Sequence, residues 1–165
     1  MSADSPLPPT MSPPVAAFVQ SWLSIAVAAR GERLVPSIAL AVGCRVDEAR
    51  RELSVLLFAD AAEAVRRDIA CNGQVAVCFS RPSTSETIQL KGSNARSAVA
   101  TATELAAARR CLDLLLDDLA AMRFDRRAIE STFWQDPADL IAIRFDVVGA
   151  FAQTPGPTAG APLPM

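Results

Sequence analysis

The stretch from Gln74 to Gly92 constrains the fold most, because two alternating runs flank a hydroxyl-rich turn there. In the second run, Thr87, Gln89 and Lys91 occupy every other position, with Ile and Leu between them. A β-strand points successive side chains to opposite faces, so this run predicts a strand with one apolar and one polar face. The two runs together predict an antiparallel pair that is buried on one side. A polar row on such a strand is suited to holding a polar, flat or phosphorylated ligand.

Composition limits the classes of function. The chain has 165 residues, enough for one domain with a core, and 51% hydrophobic against 21% charged residues is typical of a globular protein. A net charge of −2 argues against a general nucleic-acid binder, which usually carries a basic surplus. No segment approaches the roughly 20 apolar residues that cross a bilayer, and the start lacks the basic and apolar regions of a secretory signal. We therefore expect a cytoplasmic protein that binds neither nucleic acid nor membrane.

The chain contains no histidine. This absence excludes Ser-His-Asp and Cys-His catalysis, and it also excludes a histidine-ligated haem or metal. The four cysteines, Cys44, Cys71, Cys78 and Cys111, include no CxxC pair, so the usual zinc patterns are missing and no metal site is predicted. We expect them to be ordinary buried thiols.

Both ends of the chain are rich in proline. Residues 1–14 contain five of the twelve prolines, and residues 154–165 combine proline with glycine. Such segments hold little that can pack, so we expect a flexible arm and a flexible tail on either side of a folded domain at residues 15–153.

Within residues 15–153 the hydrophobic pattern predicts an order of elements typical of an α+β fold that is mainly antiparallel β. Asp60 is the predicted N-cap of the second helix, which Asn72 and Gly73 end. The long helix carries an apolar stripe that we expect to pack on the sheet or on a partner subunit. The predicted elements are a helix at 15–23, a hairpin at 24–42, a strand at 53–58, a helix at 60–71, the hairpin described above, a long helix at 101–122, a short helix at 128–134 and a strand at 140–151.

This order, together with the Gln-Leu-Lys-Gly strand end at residues 89–92, resembles the pyridoxamine 5′-phosphate oxidase-like family, the FMN-binding split β-barrels. The opening hairpin, with a glycine turn and a Pro-Ser pair in its second strand, is similar to the start of such barrels. The helix after the third strand, which ends in Asn-Gly before an apolar strand, lies where the family carries a helix. The resemblance covers about residues 18–153.

The resemblance implies a six-stranded split β-barrel with covering helices, a homodimer, and FMN held in a cleft between the subunits. In such a site the protein positions the ring and the flavin transfers electrons. Gln89 would contact the isoalloxazine edge or the ribityl chain, and Lys91 or Arg81 would face negative charge. Hydroxyls of the turn are available to a phosphate. The expected cofactor-binding residues are Pro36, Ser37, Arg81, Ser83, Thr84, Ser85, Gln89 and Lys91.

One region departs from the family pattern. Flavin-binding members commonly place basic and hydroxyl residues at the end of the third strand and the start of the next helix. Residues 57–62 of this chain contain none, and Asp60 would repel a phosphate dianion. If FMN binds, its phosphate must be met by Arg66 or Arg67, or by the turn that begins at Arg81.

Three functional hypotheses remain open from the sequence. The first is a flavin-dependent oxidoreductase of unknown substrate and electron donor. The second is a non-enzymatic dimeric module that binds a small ligand and has lost FMN. The third is a deazaflavin- or haem-handling relative, although the missing histidine argues against haem. Gln89 can equally be a surface residue, and the turn at Arg81 can be solvated without a ligand.

Overall fold

The computed structural model describes residues 9–21 and 23–165, and residues 1–8 of the predicted arm lie outside them. Within this part of the chain the fold is α+β and mainly antiparallel, as expected, with helices covering a curled sheet. No helix among the described residues has both the length and the apolar character needed to cross a membrane. The elements are α1 (Pro13–Val19), β1 (Ser24–Arg30), β2 (Pro36–Ala41), β3 (Gly43–Val46), β4 (Glu52–Phe58), α2 (Glu63–Asn72), β5 (Val75–Ser80), β6 (Thr87–Val99), α3 (Ala102–Ala121), α4 (Arg126–Phe133), a short 3-10 helix (Pro137–Asp139) and β7 (Leu140–Ala152).

The sheet has seven strands in the order β2-β1-β5-β6-β7-β4-β3, so the expected count of six is wrong. The additional strand arises because one extended segment of the chain pairs with two different strands, and it therefore counts as two strands. β2 pairs with β1, β3 pairs with β4, and only Val42 lies between them. The backbone N–H of Val42 donates to the carbonyl of Leu56 at 2.8 Å. Because the two edge strands are joined by a single residue, the sheet must curl until its edges approach each other.

The core lies inside the curled sheet and follows the alternation expected of each strand. The inward residues of β1 and β5, including Val27, Val77 and Phe79, are fully buried or nearly so. β7 contributes Ile143 and Phe145 from its inward face. Fully burying a side chain of this size stabilises the fold by about 1.5–3 kcal/mol, so these few positions supply much of the driving force.

The helix α2 begins later than the sequence predicts. Its N-cap is Ala62, with no side-chain cap, so the assignment of Asp60 as N-cap is wrong. The peptide carbonyl of Asp60 instead accepts a hydrogen bond from Glu63 in a preceding turn. The predicted stop is confirmed, because Gly73 adopts a left-handed conformation with φ of 66°. Glycine adopts this conformation at no steric cost.

The long helix α3 packs on the outer side of β3 and β4. Its N-terminus has a capping box, in which Thr101 and Glu104 each bond the other's backbone N–H. A Cβ on Gly43 would lie 2.7 Å from the Cα of Ala108, so glycine permits this close approach. The apolar stripe therefore packs on the sheet and on α4, one of the two outcomes expected from the sequence.

Packing extends beyond the predicted domain limits at both ends. Met11 is fully buried, and Leu163 and Met165 pack against the same core. The backbone N–H of Leu163 donates to the carbonyl of Ala150 at 2.8 Å, so the tail continues along β7. The flexibility of the ends stays a prediction.

Candidate functional site

The candidate site lies on the outer face of the β5–β6 hairpin. Thr87, Gln89 and Lys91 point outward from β6, whereas Leu90 between them is fully buried. The polar row expected from the sequence is therefore formed. Directly opposite Gln89 in the register lies Cys78 of β5, and the Gln89 Nε2 donates to its Sγ at 3.5 Å.

Small side chains form the floor beside this row. Ala76 and Cys78 of β5 are opposite Ala28 and Ala26 of β1, and all four share the outer face. None carries more than one heavy atom beyond Cβ. Such a surface is flat enough to accept a planar ring or the face of another subunit.

An exposed apolar strand borders the floor. Ile38 and Leu40 of β2 are opposite Ala28 and Ala26 and lie on the same face. Their exposed fractions are 70% and 51%, which is high for large apolar side chains. Contiguous apolar surface of this kind usually marks an interaction site.

A cleft of about 540 Å³ opens at the end of the hairpin opposite the turn. Its charged residues are Arg30 and Lys91, and no carboxylate lines it. The remaining walls are largely apolar. The lining residues are Ala28, Ala29, Arg30, Pro36, Gln74, Val75, Ala76, Lys91, Gly92, Ser93 and Val148.

Neutral partners hold the two cations of the cleft. The Arg30 guanidinium donates to the Gln74 side-chain oxygen at 3.0 Å, and the Arg30 carbonyl accepts from the Asn72 amide at 2.8 Å. The Lys91 ammonium lies 4.9 Å from the centroid of the Phe151 ring. A ring face attracts a cation without neutralising its charge.

A β-bulge shapes the wall of the cleft. Lys91 is opposite Gly149 and Gly92 is opposite Val147, so Val148 is the additional residue and projects into the cleft. Bulges often lie beside functional sites, where they redirect side chains. Gly92 is required here, because a Cβ would lie 2.1 Å from a ring carbon of Phe145.

The turn at the other end of the hairpin is organised by its own contacts. Arg81 donates to the Glu86 carboxylate at 2.6 Å and lies over the Phe18 ring at 5.0 Å. The backbone N–H of Ser83 donates to Asp118, while the Thr84 and Ser85 N–H groups donate to the Arg81 carbonyl. Five residue steps along β5 separate this turn from the cleft, which is about 17 Å.

The predicted site residues therefore fall into separate places. Gln89 and Lys91 share a face with Pro36, which lines the cleft. Ser37 points to the opposite face, where its hydroxyl and the adjacent guanidinium of Arg67 lower the pKa of the Asp68 carboxyl. Ser83, Thr84 and Ser85 lie at the turn, away from the cleft within one chain.

Residues 57–62 also lie away from the cleft. Leu57, Phe58 and Ala62 are buried in the core, whereas Asp60 and Ala61 are exposed, so the surface of this segment offers a carboxylate and no basic group. Arg67, proposed as a substitute phosphate ligand, forms an ion pair with Asp68 at 3.2 Å.

Sequence reasoning missed Arg30, Gln74, Ser93 and Val148. The alternation of β1 places Arg30 on the outer face with Ala28, which was a usable signal. The approach of Gln74 to Arg30 across 44 residues and the bulge at Val148 carry no local signal.

Comparison with known proteins identifies the fold. No protein-family model and no curated protein matches the chain. Solved structures of similar fold include three that align over most of the chain. HupZ from Group A Streptococcus superposes with a TM-score of 0.54 at 16% identity, covering 92% of this chain and 100% of that one. An F420 reductase gives 0.54 at 14% identity, with 81% and 93% covered. A putative pyridoxamine 5′-phosphate oxidase from Lactobacillus delbrueckii gives 0.53 at 8% identity, with 87% and 94% covered.

At these identities the likeness concerns the fold. The chain has the split-barrel fold of the pyridoxamine 5′-phosphate oxidase-like proteins, as the resemblance in the sequence implied. The fold and the flat outer face of its hairpin are the starting points for assigning a function.

Proposed function

We propose that the chain forms a homodimer that binds FMN against the outer face of the β5–β6 hairpin and acts as a flavin-dependent oxidoreductase. The observation that carries the proposal is a floor of small residues beside an outward row of Gln89 and Lys91, in a fold shared with a putative pyridoxamine 5′-phosphate oxidase. The cytoplasm is the proposed location.

The residues of this face fit a planar ring with a polar edge. Ala76 and Ala28 present no bulky group above the sheet, so a ring can lie close to it. The amide of Gln89 can both donate to and accept from the ring edge or the ribityl chain. Lys91 supplies positive charge on the same side of the strand. The bound flavin would supply the electron transfer, while the protein would orient it and shield it from water.

A second subunit is proposed to cover this face. Ile38 and Leu40 border the floor and are exposed, whereas the stripe of α3 is already packed within the chain. Burying both apolar side chains and the floor against a second copy would stabilise a symmetric pair. The turn residues Ser83, Thr84 and Ser85 would meet the flavin only from that second subunit. A monomeric mass in solution would contradict the dimer and weaken the flavin assignment.

The alternative is a dimeric ligand-binding module without FMN. It is favoured by residues 57–62, which supply no basic group, and by Arg67, which already pairs with Asp68. The likeness to an F420 reductase supports including F420 among the ligands to be tried.

The test is an absorbance spectrum of the purified protein before and after addition of FMN and removal of the excess. We expect flavin bands that remain with the protein. The variant Gln89→Ala should retain several-fold less flavin, because it loses a hydrogen bond at the polar edge. Gln135→Ala, at an exposed position outside the hairpin, is the matched control and should retain as much as the parent. A spectrum of protein alone would refute flavin binding and favour the alternative.

A further inference from the structure

We propose that the cleft between β1, β5 and β6 is an anion site that binds the phosphate of a small organic phosphate between Arg30 and Lys91. The inference goes beyond the proposed function, because it names a ligand class for the cleft and does not require a flavin. It shares Lys91 and the small floor residues Ala28 and Ala76 with the proposed flavin site, whereas Arg30 belongs to the cleft alone.

The charge of the cleft is the first argument. Arg30 and Lys91 line it, no carboxylate does, and neither cation lies within 4.0 Å of a carboxylate in the part of the chain that the structure describes. Elsewhere Arg81 and Arg144 are paired with carboxylates. Two like charges facing one concave space, without counter-ions from the protein, create a positive potential that attracts an anion.

The way in which the cations are held is the second argument. Gln74 uses one donor position of the Arg30 guanidinium, which leaves others available for phosphate oxygens. Asn72 ties the backbone of Arg30 to the end of α2. The ring of Phe151 steadies the ammonium of Lys91. Side chains that are already ordered lose less entropy when a ligand binds, so this arrangement favours binding.

The shape and lining of the cleft indicate what the part of the ligand beyond the phosphate should be. Its volume of about 540 Å³ lies within the range of small-molecule sites. The apolar side chains of Ala28, Val75, Ala76 and Val148 form most of the wall, and Ser93 adds a hydroxyl. An apolar body therefore fits beside the cations, and inorganic phosphate alone would leave that wall in contact with water.

The single lysine of the chain makes the site easy to observe. Reductive methylation with isotope-labelled formaldehyde marks Lys91 and the α-amino group only, and it preserves the charge of the lysine. Phenyl phosphate is the probe, benzyl alcohol is its neutral counterpart, and benzoate distinguishes a carboxylate from a phosphate. We expect phenyl phosphate to shift the Lys91 methyl resonance saturably, with a smaller effect of benzoate and none of benzyl alcohol.

Two labelled variants complete the test. Arg30→Gln should weaken phenyl phosphate binding by about two- to fivefold, the range expected for one exposed charge pair. Arg127→Gln removes an exposed cation on α4 and should leave the affinity unchanged. An equal response to benzyl alcohol, no response at all, or an unchanged affinity in Arg30→Gln would overturn the proposal.

Flavin measurements separate this inference from the proposed function. If phenyl phosphate binds as expected but neither FMN nor riboflavin is retained, the anion site stands and the flavin function falls. If both flavins are retained equally and phenyl phosphate does not bind, the flavin function stands and the anion site is refuted.

Discussion

The two ends of the β5–β6 hairpin carry similar polar side chains but hold their cations differently. At the turn, Arg81 is paired with the Glu86 carboxylate and lies over a ring. At the cleft, Arg30 and Lys91 are held by an amide oxygen and a ring, and neither forms an ion pair with a carboxylate of the described residues. Arg81 therefore stabilises the conformation of the turn, whereas the charges of Arg30 and Lys91 remain available to a ligand.

The comparison shows why a basic residue in a sequence is a weak indicator of an anion site. A carboxylate at hydrogen-bond distance cancels most of the field that a ligand would feel, even when the pair adds little stability. Whether a basic side chain can bind an anion therefore depends on the group that lies beside it in the fold, and the presence of the side chain in the sequence is not enough.

The largest effect is expected at the ion pair whose carboxylate is most deeply buried among the described residues, since the Glu104 side chain is only 4% exposed. Arg144 donates two hydrogen bonds, at 2.7 and 3.0 Å, to the buried carboxylate of Glu104. Glu104→Gln removes the buried carboxylate that Arg144 pairs with and leaves only the weaker field of Glu52, which should lower the free energy of unfolding by about 3 kcal/mol. Thermal unfolding should show a fall of about 6–12 °C in Tm. Glu48→Gln, on an exposed side chain, is the control and should unfold like the parent.

The same pair predicts a dependence of stability on pH. Burial raises the pKa of Glu104, but hydrogen bonds from Arg144, Thr101 and Ser54 outweigh it and lower this pKa from 4.5 to about 2. Because the folded-state pKa is depressed, the stabilisation is complete above pH 4.5 and is lost as the pH falls towards 2. Acid titration of stability should therefore be less steep in this interval for Glu104→Gln. Equal slopes in the two proteins would contradict the prediction.

A smaller effect is expected at the cleft end of the hairpin. Gly92→Ala places a Cβ 2.1 Å from the Phe145 ring, so the ring or β6 must move. Overpacking of this kind costs about 2 kcal/mol, and the movement should also displace Lys91 and weaken phenyl phosphate binding. Gly31→Ala is the comparison, because its Cβ would meet only the movable Asp68 carboxylate at 3.1 Å. Urea unfolding of both variants would test this, and similar losses would refute it.

The smallest effects test the comparison directly. Arg81→Gln loses an ion pair and a ring contact at a side chain that is 18% exposed, so it should cost about 1 kcal/mol and leave phosphate binding intact. Arg30→Gln should change stability by less than about 0.5 kcal/mol and weaken phosphate binding. If the two variants reverse these roles, the distinction between the two ends of the hairpin is wrong.

Much of the fold could be predicted from local pattern. The strand at residues 53–58, the hairpin at 74–92 and the long helix were found because alternation and helical periodicity depend only on neighbours in sequence. The stop of α2 was found because Gly73 adopts a left-handed conformation that other residues avoid.

The errors arose where a local signal competed with tertiary contacts. Asp60 is a good N-cap residue, but the chain makes a further turn there before α2 begins at Glu63. The count of six strands failed because the run through Val42 is continuous in sequence and divided only by its pairing partners. Only part of the candidate site was predicted. The polar row follows from the alternation of residues in the sequence, whereas the side chains that contact Arg30 and Lys91 do not.

The sequence by itself determined that one face of the hairpin is polar, that no histidine chemistry operates, and that glycine ends α2, because each depends on residue type and local spacing. Only the tertiary structure decided which cations remain without a carboxylate. Gln74 meets Arg30 from 44 residues away, and Phe151 meets Lys91 from the last strand. The electric potential in the cleft is the sum of contributions from all charged groups nearby in space. Because folding brings these groups together from distant parts of the chain, no local run of sequence determines that potential.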